Sequence, residues 1–244
     1  MYGEELSEAR KAEIHVRAAD DVVARLLSLA PDLTAARSPA EKFVCRCRTY
    51  VTLAVALCRA KGIPARARCG FSTYFCPGKF EDHWVVEYWN ESEWVRIDPQ
   101  LDAKWLSRVG LAGRTLEKGA FLSGAEAWAK WRTDDACDVE DFGLSFDPFL
   151  SGAWFVAGNL LRDVAALCKV EMLPWDAWGA MPKPAEAITD FEFFDDVANL
   201  ALDPDANLDA LKSQYLEDSR LKVPPTIFNA LTNTLDDVSS VSSS

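Results

Sequence analysis

The sequence is poor in histidine: its 244 residues include only His15 and His83. Any mechanism that needs an imidazole base is therefore restricted to two positions. Long apolar runs are also missing, since none approaches the ~20 residues that a transmembrane helix needs. The acidic start lacks the apolar region of a signal peptide. We therefore predict a cytoplasmic protein that does not enter a membrane.

Positive charge is in short supply. Lysine and arginine number 26 against 38 aspartates and glutamates, a net charge of −12, which disfavours nucleic acid and anionic lipid as partners. Residues 41–79 are the exception, because they hold eight cations and one anion. This basic stretch is either an ordinary solvated surface or a source of positive charge beside a reactive group or an anionic substrate.

The seven cysteines are an odd number in a chain long enough to fold without disulfides. We predict free thiols in a reducing compartment. Zinc sites favour cysteine pairs separated by two to four residues, and the cysteine spacings between positions 45 and 76 offer none. We therefore expect no metal.

The order of predicted elements favours an α+β fold. Apolar periodicity predicts one amphipathic helix over residues 6–29, and a capping box at 38–41 predicts a second helical start. An apolar helix over 49–60 is followed by three β-prone runs within 65–97, separated by turn residues. Beyond them the chain becomes helical and acidic, with helices predicted over 125–132, 152–169, 191–202 and 208–216.

Cys47 is the strongest candidate for a nucleophile. The thiolate is the reactive form of cysteine, and a helix start, neighbouring cations and a histidine all favour it. Cys47 begins the apolar helix between Arg46 and Arg48. On these local grounds Cys45 is its rival.

His83 and Asp98 are predicted to lie together. If the histidine stands at the start of one strand and the aspartate at the end of the next antiparallel strand, the hairpin places them side by side. A carboxylate there would fix the tautomer of the imidazole and stabilise its protonated form. His15 lies on the first predicted helix, and we assign it no role.

Four linked motifs resemble the core of the bacterial transglutaminase-like superfamily. They are CRTY at 47–50, RAKGIPAR at 59–66, HWVVE at 83–87 and WVRIDP at 94–99. In that superfamily the nucleophile lies fifteen residues before the glycine of the GIPAR segment, which here is Gly62, so the spacing selects Cys47 over Cys45. The resemblance implies a papain-like α+β fold in which Cys47 is the nucleophile, His83 the general base and acid, and Asp98 the orienting partner. It also implies an oxyanion hole that uses the backbone N–H of Cys47.

The stretch 154–178 resembles the helical extension of an uncharacterised branch of the same superfamily. We therefore divide the chain into a transglutaminase-like core with an N-terminal helix (1–110), a helical extension packed on the core (111–236) and a disordered tail (237–244). Thr49 and Cys45 depart from the family pattern, since many relatives carry an acidic residue or histidine at the first position and glycine at the second. These departures bear on substrate choice, and Cys45 could also modulate Cys47 through oxidation.

The resemblance implies cysteine-dependent acyl transfer without a cofactor. Cys47 would attack an amide, ester or thioester of a peptide or small molecule, and water or an amine would accept the acyl group. The alternative is a catalytically silent binding or scaffold module, against which the complete set of Cys, His and Asp argues. The sequence indicates no oligomeric state.

Three further residues are candidates for substrate binding. Asn159 and Arg162 share one face of the helix predicted over 152–169 with Asp163, where the three residues form either a local ion pair on the exposed side or part of a substrate pocket. Trp84, next to the predicted base, is the third candidate.

Overall fold

A computed structural model describes residues 5–239 and 241 and has an α+β architecture. The helices are α1 (Glu8–Lys11), α2 (Ala19–Leu29), α3 (Cys47–Ala60), α4 (Ala103–Val109), α5 (Gly124–Thr133), α6 (Ala153–Leu167), α7 (Phe191–Leu202) and α8 (Pro204–Glu217). The strands are β1 (Ala65–Ser72), β2 (Phe80–Trp89), β3 (Trp94–Ile97), β4 (Phe121–Ser123), β5 (Phe142–Leu144), β6 (Asp147–Ser151), β7 (Asp176–Ala177), β8 (Thr226–Asn229) and β9 (Thr234–Asp237).

β2 is the central strand of the main sheet, whose order is β4-β1-β2-β5-β6 with β3 also paired to β2. β1 runs antiparallel to β2, with Gly70 opposite His83. On the other side, β3 pairs antiparallel with the end of β2, and β5 pairs parallel with its beginning. The predicted helix followed by antiparallel strands is confirmed. The parallel strand was not predicted, because β5 and β6 lie in a segment rich in Asp and Phe that lacks a strand pattern.

α3 and α6 pack against this sheet and supply its two cores. One core joins Val51 and Val55 of α3 to Trp84 and Val86 of β2. The other surrounds α6, in which every residue from 155 to 167 is buried, and extends from β1 to α7 and α8. Because this core includes residues from both sides of position 110, the division of the chain at that position stays a prediction.

The N-terminal segment differs from the single helix predicted over 6–29. α1 is followed by a 3₁₀ turn at Ala12–His15, the chain is extended at Val16, and α2 begins only at Ala19. Glu13 lies in this turn, where its buried carboxylate binds Arg25 and accepts from the Val44 backbone N–H. The predicted capping box at 38–41 is present but opens only a 3₁₀ turn, Pro39–Glu41.

The C-terminal part contains a second, small sheet that was not predicted, in the order β7-β8-β9. Part of the predicted tail belongs to it, since Asp237 ends β9 and Val238 is buried. Residues 240 and 242–244 of that tail lie outside the described residues. Within the described residues, no helix combines the length and apolar content required to cross a membrane.

Candidate active site

Cys47 is the first residue of α3 and is half-buried. The residue before it, Arg46, is extended with φ −116° and ψ 176°, so the chain enters the helix at the cysteine itself. The first turn holds no acidic residue, and the Arg46 side chain caps none of the described N–H groups. The helix start therefore leaves its N–H groups and the positive end of its dipole for the thiol and for any oxygen bound next to it.

His83 and Asp98 are in contact, as the strand register predicts. β2 begins at Phe80, earlier than predicted, so His83 lies within the strand, and Asp98 follows β3 directly. The Nε2 atom of His83 is 2.8 Å from Oδ2 of Asp98. The two residues are 3% and 0% exposed. Water is therefore largely kept from this hydrogen bond.

The Cys47 thiol lies near enough to the imidazole to favour its charged form. Burial lowers the pKa of His83, but the charge and hydrogen bond of Asp98, together with the contact to Cys47, outweigh it and raise that pKa to about 10. Burial raises the pKa of Asp98, yet the charge and hydrogen bond of His83 outweigh it and lower that pKa overall. At neutral pH the two groups form an imidazolium–carboxylate pair.

Two further donors hold Asp98, and sequence reasoning missed both. The Tyr74 hydroxyl donates to Oδ2 at 2.7 Å, and the backbone N–H of Gln100 donates to Oδ1 at 2.9 Å. Tyr74 lies in the turn after β1 and is 24 residues from Asp98 in the chain. No spacing rule connects a turn tyrosine to a distant carboxylate. The only signal in the sequence was an aromatic pair, Tyr74-Phe75, inside a turn.

The prediction that Trp84 binds substrate does not fit its position. Its side chain is 0% exposed and packs in the core beneath α3. A side chain without exposed surface cannot contact a substrate in an open cleft. The physical reason is that Trp84 belongs to the core cluster against which Cys47 packs, so its ring is covered by α3.

Asn159 and Arg162 share one helix face, but that face is buried rather than exposed. The Asn159 amide donates to Oδ1 of Asp82 at 2.8 Å and to the carbonyl of Gly70 at 3.3 Å. Arg162 donates to Oδ1 of Asn159 at 3.1 Å and to the carbonyl of Asp176 at 3.0 Å. Asn159 therefore ties α6 to the main sheet and Arg162 ties it to β7 of the second sheet, and their assignment to substrate binding stays a prediction.

The basic stretch contributes to a buried charge network formed by Arg66, Arg68, Glu87, Arg96 and Asp163. Arg68, only 2% exposed, lies 3.0 Å from Glu87 and 2.8 Å from Asp163, and Arg66 and Arg96 also bind Glu87. Burial raises the pKa of Glu87, but the three arginines outweigh burial and hold that pKa well below its usual range. Arg66 and Arg68 are thus neither a solvated surface nor neighbours of the thiol.

All seven cysteines, which lie within the described residues, are free thiols. Burial raises the pKa of Cys45 to about 11 even though Tyr50 hydrogen bonds to it. Burial also raises the pKa of Cys168 to about 11 and that of Cys69 well above its usual value. These three thiols therefore stay protonated at neutral pH.

Two cavities lie elsewhere. One, of about 240 Å³, is lined by residues of the β5–β6 hairpin and by Lys79. The other, of about 280 Å³, lies between α2 and α3 and is lined by Arg48 and Thr52. Neither is lined by Cys47, His83 or Asp98. Within the described part of the chain, no group of three or more His, Cys, Asp or Glu side chains could hold a metal ion.

A thiol at a helix start, an imidazole on the central strand and a buried carboxylate after the next strand define the class of α+β proteins with a Cys-His-Asp site. The family model of the transglutaminase-like superfamily matches residues 5–99. These residues therefore form a transglutaminase-like domain, and the resemblance drawn from the four motifs is confirmed. The general chemistry of this superfamily is cysteine-dependent acyl transfer. No curated protein and no solved structure was found to match the chain.

Proposed function

We propose that the protein is a cysteine-dependent acyl-transfer enzyme in which Cys47 is the nucleophile, His83 the general base and acid, and Asp98 the orienting carboxylate. The observation that supports this most directly is the buried 2.8 Å hydrogen bond between His83 and Asp98, with the Cys47 thiol at the start of α3 near enough to the imidazole to favour its charged form. A buried histidine held as an imidazolium is suited to stabilise a neighbouring thiolate.

The reaction has two stages. The Cys47 thiolate attacks the carbonyl carbon of an amide, ester or thioester, and a tetrahedral intermediate forms whose oxyanion accepts from N–H groups at the start of α3. The bond to the leaving group then breaks, and that group takes the proton of the His83 imidazolium. The acyl group remains on Cys47 as a thioester. In the second stage the neutral imidazole takes a proton from the acceptor, which attacks the thioester and releases the thiolate.

The acceptor decides the type of enzyme. Water gives an amidase or peptidase, and an amine gives a transamidase or amide-forming enzyme, acting on a peptide or a small metabolite. We propose that the chemistry uses no cofactor and takes place in the cytoplasm, where free thiols persist. The net charge of −12 disfavours nucleic acids and anionic membranes as partners.

Alkylation by iodoacetamide tests the nucleophile without knowledge of the substrate. We expect one fast thiol, Cys47, that reacts near pH 6, where an ordinary cysteine with a pKa of about 8.5 is almost fully protonated. Peptide mass spectrometry identifies the alkylated residue. His83→Ala should slow the reaction, and Cys47→Ala should abolish both fast alkylation and acylation by p-nitrophenyl acetate.

Cys45→Ala is the matched control, because it removes the rival thiol two residues away. We expect it to leave most of the fast reaction in place. If Cys45 were the fast residue instead, the assignment of the nucleophile would be wrong by two positions. Seven equally slow thiols would favour the silent binding module.

A further inference from the structure

The turn after β1 encloses the contact between imidazole and carboxylate. Tyr74 donates its hydroxyl to Oδ2 of Asp98, the same oxygen that accepts from Nε2 of His83. Phe75 meets the imidazole edge-on, with 4.9 Å between ring centroids. One aromatic residue therefore contacts the acid of the pair and the next contacts the base.

We propose that Tyr74 is a positioning residue that fixes the Asp98 carboxylate toward His83 and keeps it ionised. This proposal rests on the proposed function, in which Asp98 orients the base. Tyr74 does not touch the reacting atoms. It acts on them through Asp98 and then through the imidazole.

The burial of Asp98 makes the tyrosine hydroxyl hard to replace. The carboxylate is 0% exposed, so water cannot readily substitute for a lost donor. The titratable side chains that face it are His83 and Tyr74, and the remaining donor is the backbone N–H of Gln100. A hydrogen bond to a charged group is stronger than one between neutral groups, and a donor to the ionised form disfavours protonation.

Tyr74 is suited to this task because it stays neutral. Burial raises the pKa of its hydroxyl, and the negative charge of Asp98 raises it further, well above the usual range. The hydroxyl therefore remains a proton donor at neutral pH. A lysine or histidine here would add a charge that competes with the imidazolium.

Packing, and not the hydroxyl, holds the tyrosine ring in place. The ring centroid lies 4.7 Å from that of Phe75, which is in turn 5.7 Å from that of Trp105 on α4. Tyr74→Phe keeps the ring and these contacts while removing the donor. We therefore expect the variant to fold.

The experiment compares Tyr74→Phe with the wild-type protein in two measurements. The first is the titration of the Asp98 carboxyl, followed by ¹³C NMR, in which we expect the midpoint to rise by about one pH unit because a donor to the charged form is lost. The second is acylation of Cys47 by p-nitrophenyl acetate, which we expect to slow about tenfold. If Tyr74 only supported the fold, its replacement by phenylalanine would change neither the Asp98 midpoint nor the rate of acylation.

Tyr215→Phe is the matched control, because Tyr215 is also buried and its hydroxyl, which accepts from the Val223 backbone N–H, lies outside this site. It should change neither measurement. Site-specific replacement of Tyr74 by 3-fluorotyrosine, a stronger donor of nearly the same size, should move the Asp98 midpoint in the opposite direction. This second variant shows whether Tyr74 controls the ionisation of Asp98 even if Tyr74→Phe fails to fold.

An Asp98 midpoint that is the same in all these proteins would overturn the role of Tyr74 and leave the proposed function intact. Failure of p-nitrophenyl acetate to acylate Cys47 in the wild-type protein would instead contradict the proposed function. The carboxyl titration would still report whether Tyr74 controls Asp98.

Discussion

β2 contributes to two buried groups of oppositely charged side chains. They differ in whether every member of the group has a partner. Glu87 belongs to the charge network, in which each charged group faces a partner of opposite sign. His83, four residues earlier, belongs to the chain that links Asp98 to Cys47. The network is closed in the sense that each of its charged groups has a partner of opposite sign, out to Asp205 and Glu126, whereas this chain ends at a half-buried thiol next to an uncapped helix start.

The difference separates a stabilising arrangement from a reactive one. Buried charges with complete partners hold elements in a fixed relation, here α6 against β1 and β2. A chain of hydrogen bonds with one accessible end can pass a proton to a bound molecule. Because both lie on one strand, we infer that the network helps to fix the strand on which the base sits.

The strongest test of this comparison removes the charge at the buried end of the reactive chain. Asp98→Asn keeps the size of the side chain but cannot hold an imidazolium by charge. We expect kcat for p-nitrophenyl acetate to fall by about 10² to 10⁴, by analogy with the loss of an orienting carboxylate in another triad. Thermal unfolding should show a folded protein. Unchanged kinetics would remove Asp98 from the mechanism.

The converse test removes one charged partner, Arg68, from the charge network. Arg68→Met leaves Glu87 and Asp163 buried with fewer partners, and we expect the free energy of unfolding to fall by about 3 to 5 kcal/mol. Denaturant titration measures this loss. Fast alkylation of Cys47 should persist in the folded fraction, because Arg68 belongs to the charge network and not to the group formed by Cys47, His83 and Asp98. If the thiol lost its reactivity as well, the two arrangements would not be separate.

The predictive power of the sequence differed between these arrangements for a physical reason. Cys47, His83 and Asp98 lie at helix and strand positions that local patterns and family spacing locate well. Their contact follows from the register of one hairpin. The partners of Arg68 depend on how α6 packs against β1, a long-range contact that no local pattern encodes. For that reason the basic stretch was predicted only as a surface or as a neighbour of the thiol.

The same limit explains the other differences. The spacing of Asn159 and Arg162 predicts that they share one helix face, but the burial of that face depends on the sheet beneath it. Trp84 adjoins the base in sequence, but its burial depends on how α3 packs on the sheet, which no local pattern encodes. Tyr74 reaches Asp98 only because a turn folds back over β2.

The smallest expected effect concerns the acid stability of the closed network. The pKa of Glu87 is lowered well below its usual range in the folded protein, and in the unfolded chain it is about 4.3. The group therefore contributes stability that is complete above about pH 4.3 and is lost as the pH falls toward the folded-state value.

The variant Glu87→Gln tests this contribution, because the glutamine side chain does not titrate. Between pH 6 and 3 its free energy of unfolding should fall by about 2 kcal/mol less than that of the wild-type protein. Denaturant titrations across this range measure both slopes, and equal slopes would show that Glu87 is not held as a carboxylate by the arginines around it.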